Sequence, residues 1–212
     1  MGVDHLATDS ALLIQFAKAP LAGTVKTRMM PYLSAAQALA LHIQLVRHTA
    51  ETLLTAELGA VELWLSETMG DQSTLPEGYA NITLQRGADL GQRMCHAIGN
   101  GLQRAEKVIL VGSDCPGINK NYLASALASL DTVDIVLGPA EDGGYVLMGA
   151  RRCSIELFTS VSWGTGQVLQ QTRAHLERMQ WTYRQLSLLQ DIDCPEDLDH
   201  LTHFGIGWEL EE

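Results

Sequence analysis

Apolar and polar positions alternate along the chain in blocks whose spacing switches between that of strands and that of helices. Residues 11–17 (ALLIQFA) form a short, mostly apolar run that stops at Lys18, which is typical of a buried strand followed by a loop. Ser34 and Gln37 then have the spacing of a helix capping box. Apolar residues recur after them at steps of three and four: Leu39, Ile43, Val46, Ala50 and Leu53. This pattern predicts a long helix over about 34–58.

The same succession of strand and helix patterns continues to the end of the chain. Further strands are predicted at 61–66, 82–85, 107–111, 134–137, 145–148 and 183–190. Further helices are predicted at 91–105, 119–130, 165–179 and from Pro195 onward. A polar loop through Gly70, Pro76 and Gly78 separates the second strand from the third. Because crossover helices must bury their apolar stripes on a sheet, the alternation predicts a three-layer α/β/α sandwich with a mostly parallel mixed sheet.

Composition narrows the class of protein. The 212 residues are 46% hydrophobic and 18% charged, without repeats or low-complexity linkers, so we expect one domain over 1–212. The net charge of −11 disfavours nucleic acid and anionic membranes as partners. No apolar run reaches the roughly 20 residues of a membrane-spanning helix. The four cysteines form no CxxC pair and follow no signal peptide, which favours a cytoplasmic protein with reduced thiols.

The loop after the first strand is the first candidate for chemistry. It carries three of the 14 cations, Lys18, Lys26 and Arg28, together with Gly23 and Thr24. Ligands of open α/β sheets bind beyond the carboxyl ends of strands, and cationic side chains with backbone amides there can hold phosphate oxygens. The GxxxxGK[ST] spacing of a P-loop is absent, and a solvated basic loop explains the same composition.

Two further segments after predicted strands carry carboxylates. Asp114 follows the strand at 107–111, where it could hold Mg²⁺ or Mn²⁺, but it could equally cap the next turn. Asp191 and Asp193 follow the strand at 183–190 and, two apart on an extended chain, point to the same side. Either could reach a metal ion held by Asp114. The alternative for Asp193 is a purely electrostatic contact with the amino end of the next helix.

Two glycine-containing segments complete the set. Asp142, Gly143 and Gly144 follow the strand at 134–137, where glycines let a ligand approach the backbone; an ordinary Asp-Gly hairpin turn explains them as well. Asp89, Gly91 and Arg93 precede or begin a helix, whose first amides can face an anion or a base edge, although the GxGxxG spacing of a dinucleotide site is missing.

Other catalytic patterns are absent. The seven histidines show no HExxH spacing and no pairing with cysteine, so a zinc site is not expected. No GxSxG elbow is present, which disfavours a nucleophilic hydrolase.

Taken together and in order, six segments covering about residues 11–201 resemble the bacterial glycosyltransferase-A-like family described as radical-SAM/selenodomain-associated transferases. The segments are KAPLAGTVKTRM, GADLGQRM, VGSDCPGI, GPAEDGGYVLMG, VSWGTGQVL and DIDCPEDL. The wider superfamily is similar to nucleotide-diphospho-sugar transferases and to nucleotidyltransferases. The resemblance implies a nucleotide-diphospho-sugar transferase fold.

The resemblance also implies roles for individual residues. The loop from Gly23 to Arg28, with Thr24 and nearby Lys18, matches the nucleotide-phosphate loop, and Lys26 and Arg28 are its cationic contacts. Asp114 matches the metal-binding aspartate after the central strand. Asp193 matches the second metal ligand, in a motif written Asp-Thr-Pro-Glu-Asp-Leu.

This chain has Cys194 where that motif has Thr. Two more segments take roles from the resemblance. Asp142, Gly143 and Gly144 fall where the acceptor or sugar would lie, and residues from Asp89 through Gly91 to Arg93 fall where the base would be read.

The expected function is therefore a metal-dependent transferase that uses a nucleotide donor and Mg²⁺ or Mn²⁺. The family name favours a glycosyl transferase acting on a nucleotide sugar, with an acceptor that the sequence does not identify. The cationic loop favours the alternative, an NTP-dependent nucleotidyltransferase that releases pyrophosphate, since a triphosphate needs more neutralisation. The presence of Cys194 in place of the motif's Thr motivates a third possibility, a nucleotide-binding module without catalysis.

Overall fold

Seven strands form one mixed sheet in the computed structural model, which describes residues 9–30, 32–68 and 75–207. The strands are β1 (Asp9–Ala17), β2 (Ala60–Leu65), β3 (Asn81–Leu84), β4 (Ala105–Gly112), β5 (Ile135–Pro139), β6 (Tyr145–Ala150) and β7 (Tyr183–Gln185). Their order across the sheet is β3-β2-β1-β4-β6-β5-β7. Only β6 runs antiparallel to its neighbours, so the predicted mostly parallel mixed sheet is confirmed.

Helices cover both faces of this sheet. The described α-helices are α1 (Ala35–Ala56), α2 (Leu90–Gly101), α3 (Lys120–Ser129) and α4 (Val168–Arg178). The even-numbered side chains of β1, such as Ile14, pack in a core with α2 and α4. Leu13, on the opposite face of β1, packs in a second core with the end of α1 and with α3. The predicted three layers follow directly, because successive side chains of a strand point to opposite faces.

Local signals in the sequence explain where the longest helix begins. The Ser34 side chain accepts a hydrogen bond from the Gln37 amide, and the Gln37 side chain accepts one from the Ser34 amide. The capping box is thus formed as predicted, and it satisfies amides that the first turn leaves without partners. The helix ends at Ala56, two residues before the predicted end, because Glu57 takes a left-handed conformation.

Three predicted elements differ from the structure. The strand expected at 183–190 is regular only over Tyr183–Gln185. Beyond it the chain follows β5 through single bonds from the Leu186 and Leu189 amides, and Pro139, the last residue of β5, has no N–H to donate in return. The helix expected to reach 105 ends at Gly101. The last helix, Pro195–Phe204, is a 3₁₀ helix.

The topology brings the proposed ligand-binding segments to one edge of the sheet. The parallel strands β1 and β4 are direct neighbours, so the loops that follow them are adjacent in space. The β5–β6 turn and the chain after β7 lie at the same edge. The predicted loop residue Gly70 lies outside the described residues. Among those described, no helix combines the length and apolarity needed to cross a membrane.

Candidate functional site

A cleft of about 530 Å³ opens at the carboxyl edge of the sheet. Its walls come from the loop after β1, the ends of β3 and β4, the β5–β6 hairpin, residues 163–168 and the segment after β7. Nine residues singled out in the sequence line it: Lys18, Lys26, Arg28, Arg93, Asp114, Asp142, Gly144, Asp191 and Asp193. Residues up to 175 positions apart in the chain therefore meet in one site.

Lys26 lies at the centre of the charged part of this cleft. Its backbone is left-handed, with φ at 50°, immediately before a short 3₁₀ turn at Thr27–Met29. Only 2% of its side chain is exposed. The ammonium lies 2.6 Å from Asp114 Oδ1, donates a hydrogen bond to the Ile192 carbonyl and lies 3.8 Å from Asp193 Oδ1. Lys26 is therefore not a solvated cation, and the alternative explanation of a solvated basic loop is wrong for this residue.

Asp114 follows β4 and meets Lys26 from the opposite wall. Its carbonyl accepts a hydrogen bond from the Ile192 amide at 2.8 Å, which ties the end of β4 to the segment after β7. Its Oδ1 is buried, whereas 44% of the side chain is exposed toward the cleft. Burial favours a raised pKa, but the nearby Lys26 ammonium holds the pKa of Asp114 below its usual value. The carboxylate is thus kept ionised. It does not cap α3, since Asn119 does so.

Asp193 joins the same cluster from the chain after β7. Its Oδ2 lies 2.6 Å from the Arg28 guanidinium, and its other oxygen faces Lys26. The Asp197 carboxylate accepts hydrogen bonds from the amides of Asp193 and Cys194, both at 2.8 Å. Contact with the amino end of the last helix is therefore made by Asp197, while the Asp193 side chain points to the cations of the cleft.

Cys194 keeps a polar contact in the place of the threonine of the family motif. Its thiol donates to Asp197 Oδ2 at 3.0 Å, and this contact with a carboxylate raises the pKa of Cys194 to about 12. The thiol therefore remains protonated and supports the carboxylate that orients Asp193.

Asp191 also lines the cleft, on the side of the β5–β6 hairpin. Burial raises its pKa to about 6, and the negative charges of Asp142, Asp193 and Asp114 add to this effect. Both Asp191 and Asp193 thus face the same space, as their spacing predicts. Four carboxylates converge here, with Lys26 and Arg28 as the cations in contact with two of them.

The Asp-Gly pair forms the turn of a hairpin, and the same turn borders the cleft. Gly143 is left-handed, with φ at 84°, and a Cβ atom there would lie 2.3 Å from the Gly166 carbonyl oxygen. The Gly144 amide donates to Asp142 Oδ1 at 2.8 Å. Gly143 itself is not among the lining residues. The turn therefore brings Asp142 and Gly144 to the cleft and seats the loop at 163–168 beside them.

Four other predicted site residues are not among those that line the cleft: Gly23, Thr24, Asp89 and Gly91. The Thr24 hydroxyl donates to the Leu21 carbonyl within its own loop. Asp89 caps α2 by accepting from the Gln92 amide at 2.8 Å. A Cβ at Gly91 would lie 2.8 Å from side-chain atoms of both Phe158 and Trp163, so this glycine serves close packing.

Several lining residues were not predicted, among them His42, Gln85 and Trp163. His42, on the buried face of α1, lies 3.0 Å from the Lys18 carbonyl oxygen, and burial lowers its pKa. Gln85 donates to two backbone carbonyls at the ends of β1 and β2. Trp163 packs against Phe158 beside Tyr145. Of these three residues, only Trp163 could have been found from the sequence, since it belongs to the VSWGTGQVL segment of the family resemblance. The sequence pattern gives His42 only as a residue of the first predicted helix.

The chemistry of this cluster fits a divalent cation that shares its coordination with a ligand. Asp114 and Asp193 both place an oxygen within 4 Å of the Lys26 ammonium, so they already surround one cation position. Among the described residues no three side chains are arranged to hold a metal ion by themselves. Mg²⁺ is commonly held by one or two carboxylates together with phosphate oxygens and water, and the pair fits that kind of site.

Comparison with known proteins gives the family. The sequence model of a family described as "Uncharacterized protein conserved in bacteria (DUF2064)" matches residues 49–165, which is more than half of the chain. The chain belongs to the DUF2064 family. No curated protein sequence matches it.

Solved structures share the fold of this DUF2064 protein. A candidate nucleotide-diphospho-sugar transferase from Desulfovibrio desulfuricans G20 is 28% identical, with a TM-score of 0.81 over 91% of this chain and 86% of that chain. The CMP:2-keto-3-deoxy-manno-octonic acid synthetase complexed with CTP is 10% identical, with a TM-score of 0.60 over 92% and 98%. Rv0371c of Mycobacterium tuberculosis H37Rv, in complex with manganese, is 16% identical, with a TM-score of 0.50 over 90% and 97%. The last two likenesses show the fold alone.

Proposed function

We propose that this DUF2064 protein is a metal-dependent transferase with a nucleotide donor, and that it transfers a glycosyl group from a nucleotide sugar. The observation that carries the proposal is the meeting of Lys26, Asp114 and Asp193 in one cleft at the carboxyl edge of the sheet. Ligands of open α/β sheets bind at this edge. The fold supports the proposal, because the structures that share it include a synthetase complexed with CTP and a candidate nucleotide-sugar transferase.

The charged residues of the cleft suit the diphosphate of such a donor. Lys26 and Arg28 neutralise phosphate oxygens, and Lys18, exposed on the same loop, extends the positive wall. Asp114 and Asp193 would hold Mg²⁺ or Mn²⁺, which supplies charge neutralisation to the leaving phosphate. Asp191 is the alternative second carboxylate, since it faces the same space.

The remaining residues are assigned to the two ends of the ligand. Asp142, Gly143 and Gly144 form a turn beside which the sugar or acceptor is proposed to lie, with Asp142 available to accept from hydroxyl groups. At the other end, Arg93 lines the cleft on α2 and is the best-placed contact for the base. Four residues support these contacts indirectly, through the geometry of their loops: Gly23 and Thr24 within the phosphate loop, and Asp89 with Gly91 at the start of α2.

Nucleotidyl transfer is the second candidate function. In that reaction a phosphate or hydroxyl acceptor attacks the α-phosphorus of an NTP, and pyrophosphate leaves. The cation pair Lys26 and Arg28 favours it, since a triphosphate carries more charge than a diphosphate sugar. A binding module without catalysis has less support. Cys194, which stands where the family motif has Thr, still makes a polar contact with Asp197.

Thermal unfolding against a panel of ligands tests the proposal and separates the two reactions. The panel contains NTPs, nucleoside diphosphates and nucleotide sugars, each with and without Mg²⁺ or Mn²⁺. A ligand that binds only the folded state raises the melting temperature by mass action. We expect a metal-dependent rise with nucleotide sugars of one base. A rise with NTPs alone would select nucleotidyl transfer.

Asp114→Asn serves as the companion variant for this panel. It should lose the metal-dependent part of the shift while its far-UV circular dichroism stays unchanged. If the folded wild-type protein shows no shift with any nucleotide, the proposal is wrong and the charged cleft serves another ligand. If the protein binds nucleotides but consumes no nucleotide or sugar, the binding module without catalysis is favoured.

A further inference from the structure

The cation position between Asp114 and Asp193 is filled by the protein's own ammonium group. We propose that Lys26 and a divalent metal ion compete for these two carboxylates, so that the free protein excludes the metal and the metal enters only together with a ligand's phosphates. This inference rests on the proposed function for the position of the metal. It assigns Lys26 a role in the order of binding, in addition to phosphate contact.

The polar neighbours of the Lys26 ammonium are all groups of the protein. An ammonium group has three donors and no acceptor. In the free protein its neighbours are Asp114 Oδ1 at 2.6 Å, the Ile192 carbonyl and Asp193 Oδ1 at 3.8 Å. With 2% of the side chain exposed, water does not compete for these contacts. A phosphate that binds Lys26 therefore competes with Asp114 and Asp193 for the same ammonium group.

The charge balance of the cluster explains why the metal and Lys26 exclude each other. The buried Oδ1 of Asp114 lies 2.6 Å from the Lys26 ammonium and has no hydrogen bond to any other described group. A metal ion on the same carboxylates would lie against the ammonium, and two cations in contact repel strongly where water is excluded. An incoming phosphate removes this conflict, because it offers Lys26 another anion while adding oxygen ligands for the metal.

Arg28 does not block the position in the same way. Its guanidinium contacts Asp193 Oδ2, and more than half of the Arg28 side chain is exposed to solvent. Exposed ion pairs are weak and exchange readily with water. The buried ammonium of Lys26 is therefore the group that decides whether the free protein binds a metal.

Titration with Mn²⁺ in the absence of any nucleotide tests the inference, with free Mn²⁺ followed by electron paramagnetic resonance. Wild-type protein is compared with Lys26→Met, with the control Lys18→Met and with the double variant Lys26→Met/Asp114→Asn. Lys18 lines the same cleft but is exposed, so its replacement removes the same charge without emptying the position. We expect Lys26→Met to bind Mn²⁺ at least about tenfold more tightly than wild type, and Lys18→Met to change the affinity less than about threefold.

The double variant identifies the ligands, since loss of Asp114 should abolish the gain. Equal Mn²⁺ affinity in wild type and Lys26→Met would overturn the inference, as would an equal gain in Lys18→Met or a gain that survives in the double variant. Circular dichroism and thermal unfolding verify the fold. Lys26→Gln, which retains a donor for the Ile192 carbonyl, replaces Lys26→Met if the latter does not fold. Because no nucleotide is present, a gain in Lys26→Met together with a negative ligand panel would leave the competition between Lys26 and the metal standing and reject the proposed function.

Discussion

At the scale of single residues, the ion pair of Lys26 with Asp114 is asymmetric in its access to solvent. The lysine side chain is 2% exposed, whereas 44% of the aspartate side chain is exposed to the cleft. When one partner of a pair is removed, the partner that remains must be solvated by something else. Water can reach Asp114 but not Lys26, so the two partners are not equivalent for stability.

The first prediction uses this asymmetry. Asp114→Asn removes the nearer carboxylate of a buried ammonium and leaves it only Asp193 at 3.8 Å, so it should lower the free energy of unfolding by about 2–4 kcal/mol. Lys26→Met leaves a carboxylate that water can reach and should cost about 1–2 kcal/mol. Urea unfolding at neutral pH measures both values. A larger loss for Lys26→Met than for Asp114→Asn would contradict the assignment of Lys26 as the buried partner.

A second ion pair gives a prediction about pH. Glu62 on β2 is almost fully buried. Its carboxylate accepts hydrogen bonds from the two terminal guanidinium nitrogens of Arg104 and from the indole N–H of Trp64. Burial alone would raise the pKa of Glu62, but these hydrogen bonds hold it below its usual value. A carboxyl group with a lowered pKa stabilises the folded state above its unfolded pKa of about 4.5, and this contribution is lost as the pH falls below it.

Arg104→Met should therefore destabilise the protein by about 3 kcal/mol at pH 7, because an ionised Glu62 stays buried without its cation. The deficit should shrink as the pH falls from 7, because burial without Arg104 raises the pKa of the variant's Glu62 above its usual value and the carboxyl takes up a proton there. Urea unfolding at several pH values measures the trend. The matched control is Lys107→Met, whose partner Asp131 is mostly exposed, and it should cost less than about 1 kcal/mol. A deficit for Arg104→Met that does not depend on pH would contradict the role of Glu62.

At the scale of elements, the β5–β6 hairpin fixes the loop that closes one side of the cleft. The Gly143 carbonyl accepts from the Leu169 amide at 2.9 Å, which joins the turn to the first residues of α4. Four residues just before Leu169 line the cleft: Trp163, Gly164, Thr165 and Val168. The position of that loop therefore depends on the close approach of two backbones at Gly143.

Gly143→Ala should break this approach. A Cβ there meets the Gly166 carbonyl oxygen at 2.3 Å, and the residue also has a positive φ, so we expect a loss of about 2–4 kcal/mol and weaker ligand binding. Gly164→Ala is the matched control, since φ is 77° and nothing lies within 4 Å of its Cβ. It should cost only about 1 kcal/mol, the backbone strain alone. Urea unfolding and the ligand panel compare the two; equal losses would show that the contact with Gly166 is unimportant.

At the scale of the whole molecule, the excess of negative charge acts on stability. The chain has a formal net charge of −11, and four carboxylates of the cleft face one another. Such repulsion between like charges is screened by salt, whereas the buried pair of Lys26 with Asp114 is screened much less.

The melting temperature of the ligand-free protein should therefore rise by about 2–5 °C between about 0.02 and 0.3 M sodium chloride. Differential scanning calorimetry measures this directly. An equimolar concentration of sucrose serves as the control for effects other than screening. A fall in melting temperature with salt would mean that attractive ion pairs, rather than net repulsion, dominate the electrostatics of the fold.

Most strands and helices, and their order, follow from local patterns in the sequence. The periodicity of apolar residues and the capping box at Ser34 are local, and they set where α1 begins and which strands are buried. The positions of the charged residues just after strands also follow from local pattern, since a buried apolar run must end where polar residues begin. From these positions the cleft residues Lys26, Asp114 and Asp193 could be named before any contact was known.

Which of these residues touch depends on tertiary packing. Lys26 and Asp114 meet because β1 pairs with the distant strand β4 on one side as well as with β2 on the other, and strand pairing depends on the packing of the whole sheet. The same packing buried the Lys26 side chain and brought His42 and Gln85 into the cleft, and it kept Asp89 and Gly91 out of the lining. Spacing along a chain fixes the direction of a side chain within its own element. Burial and contact depend on what other elements place opposite it, which no local pattern contains.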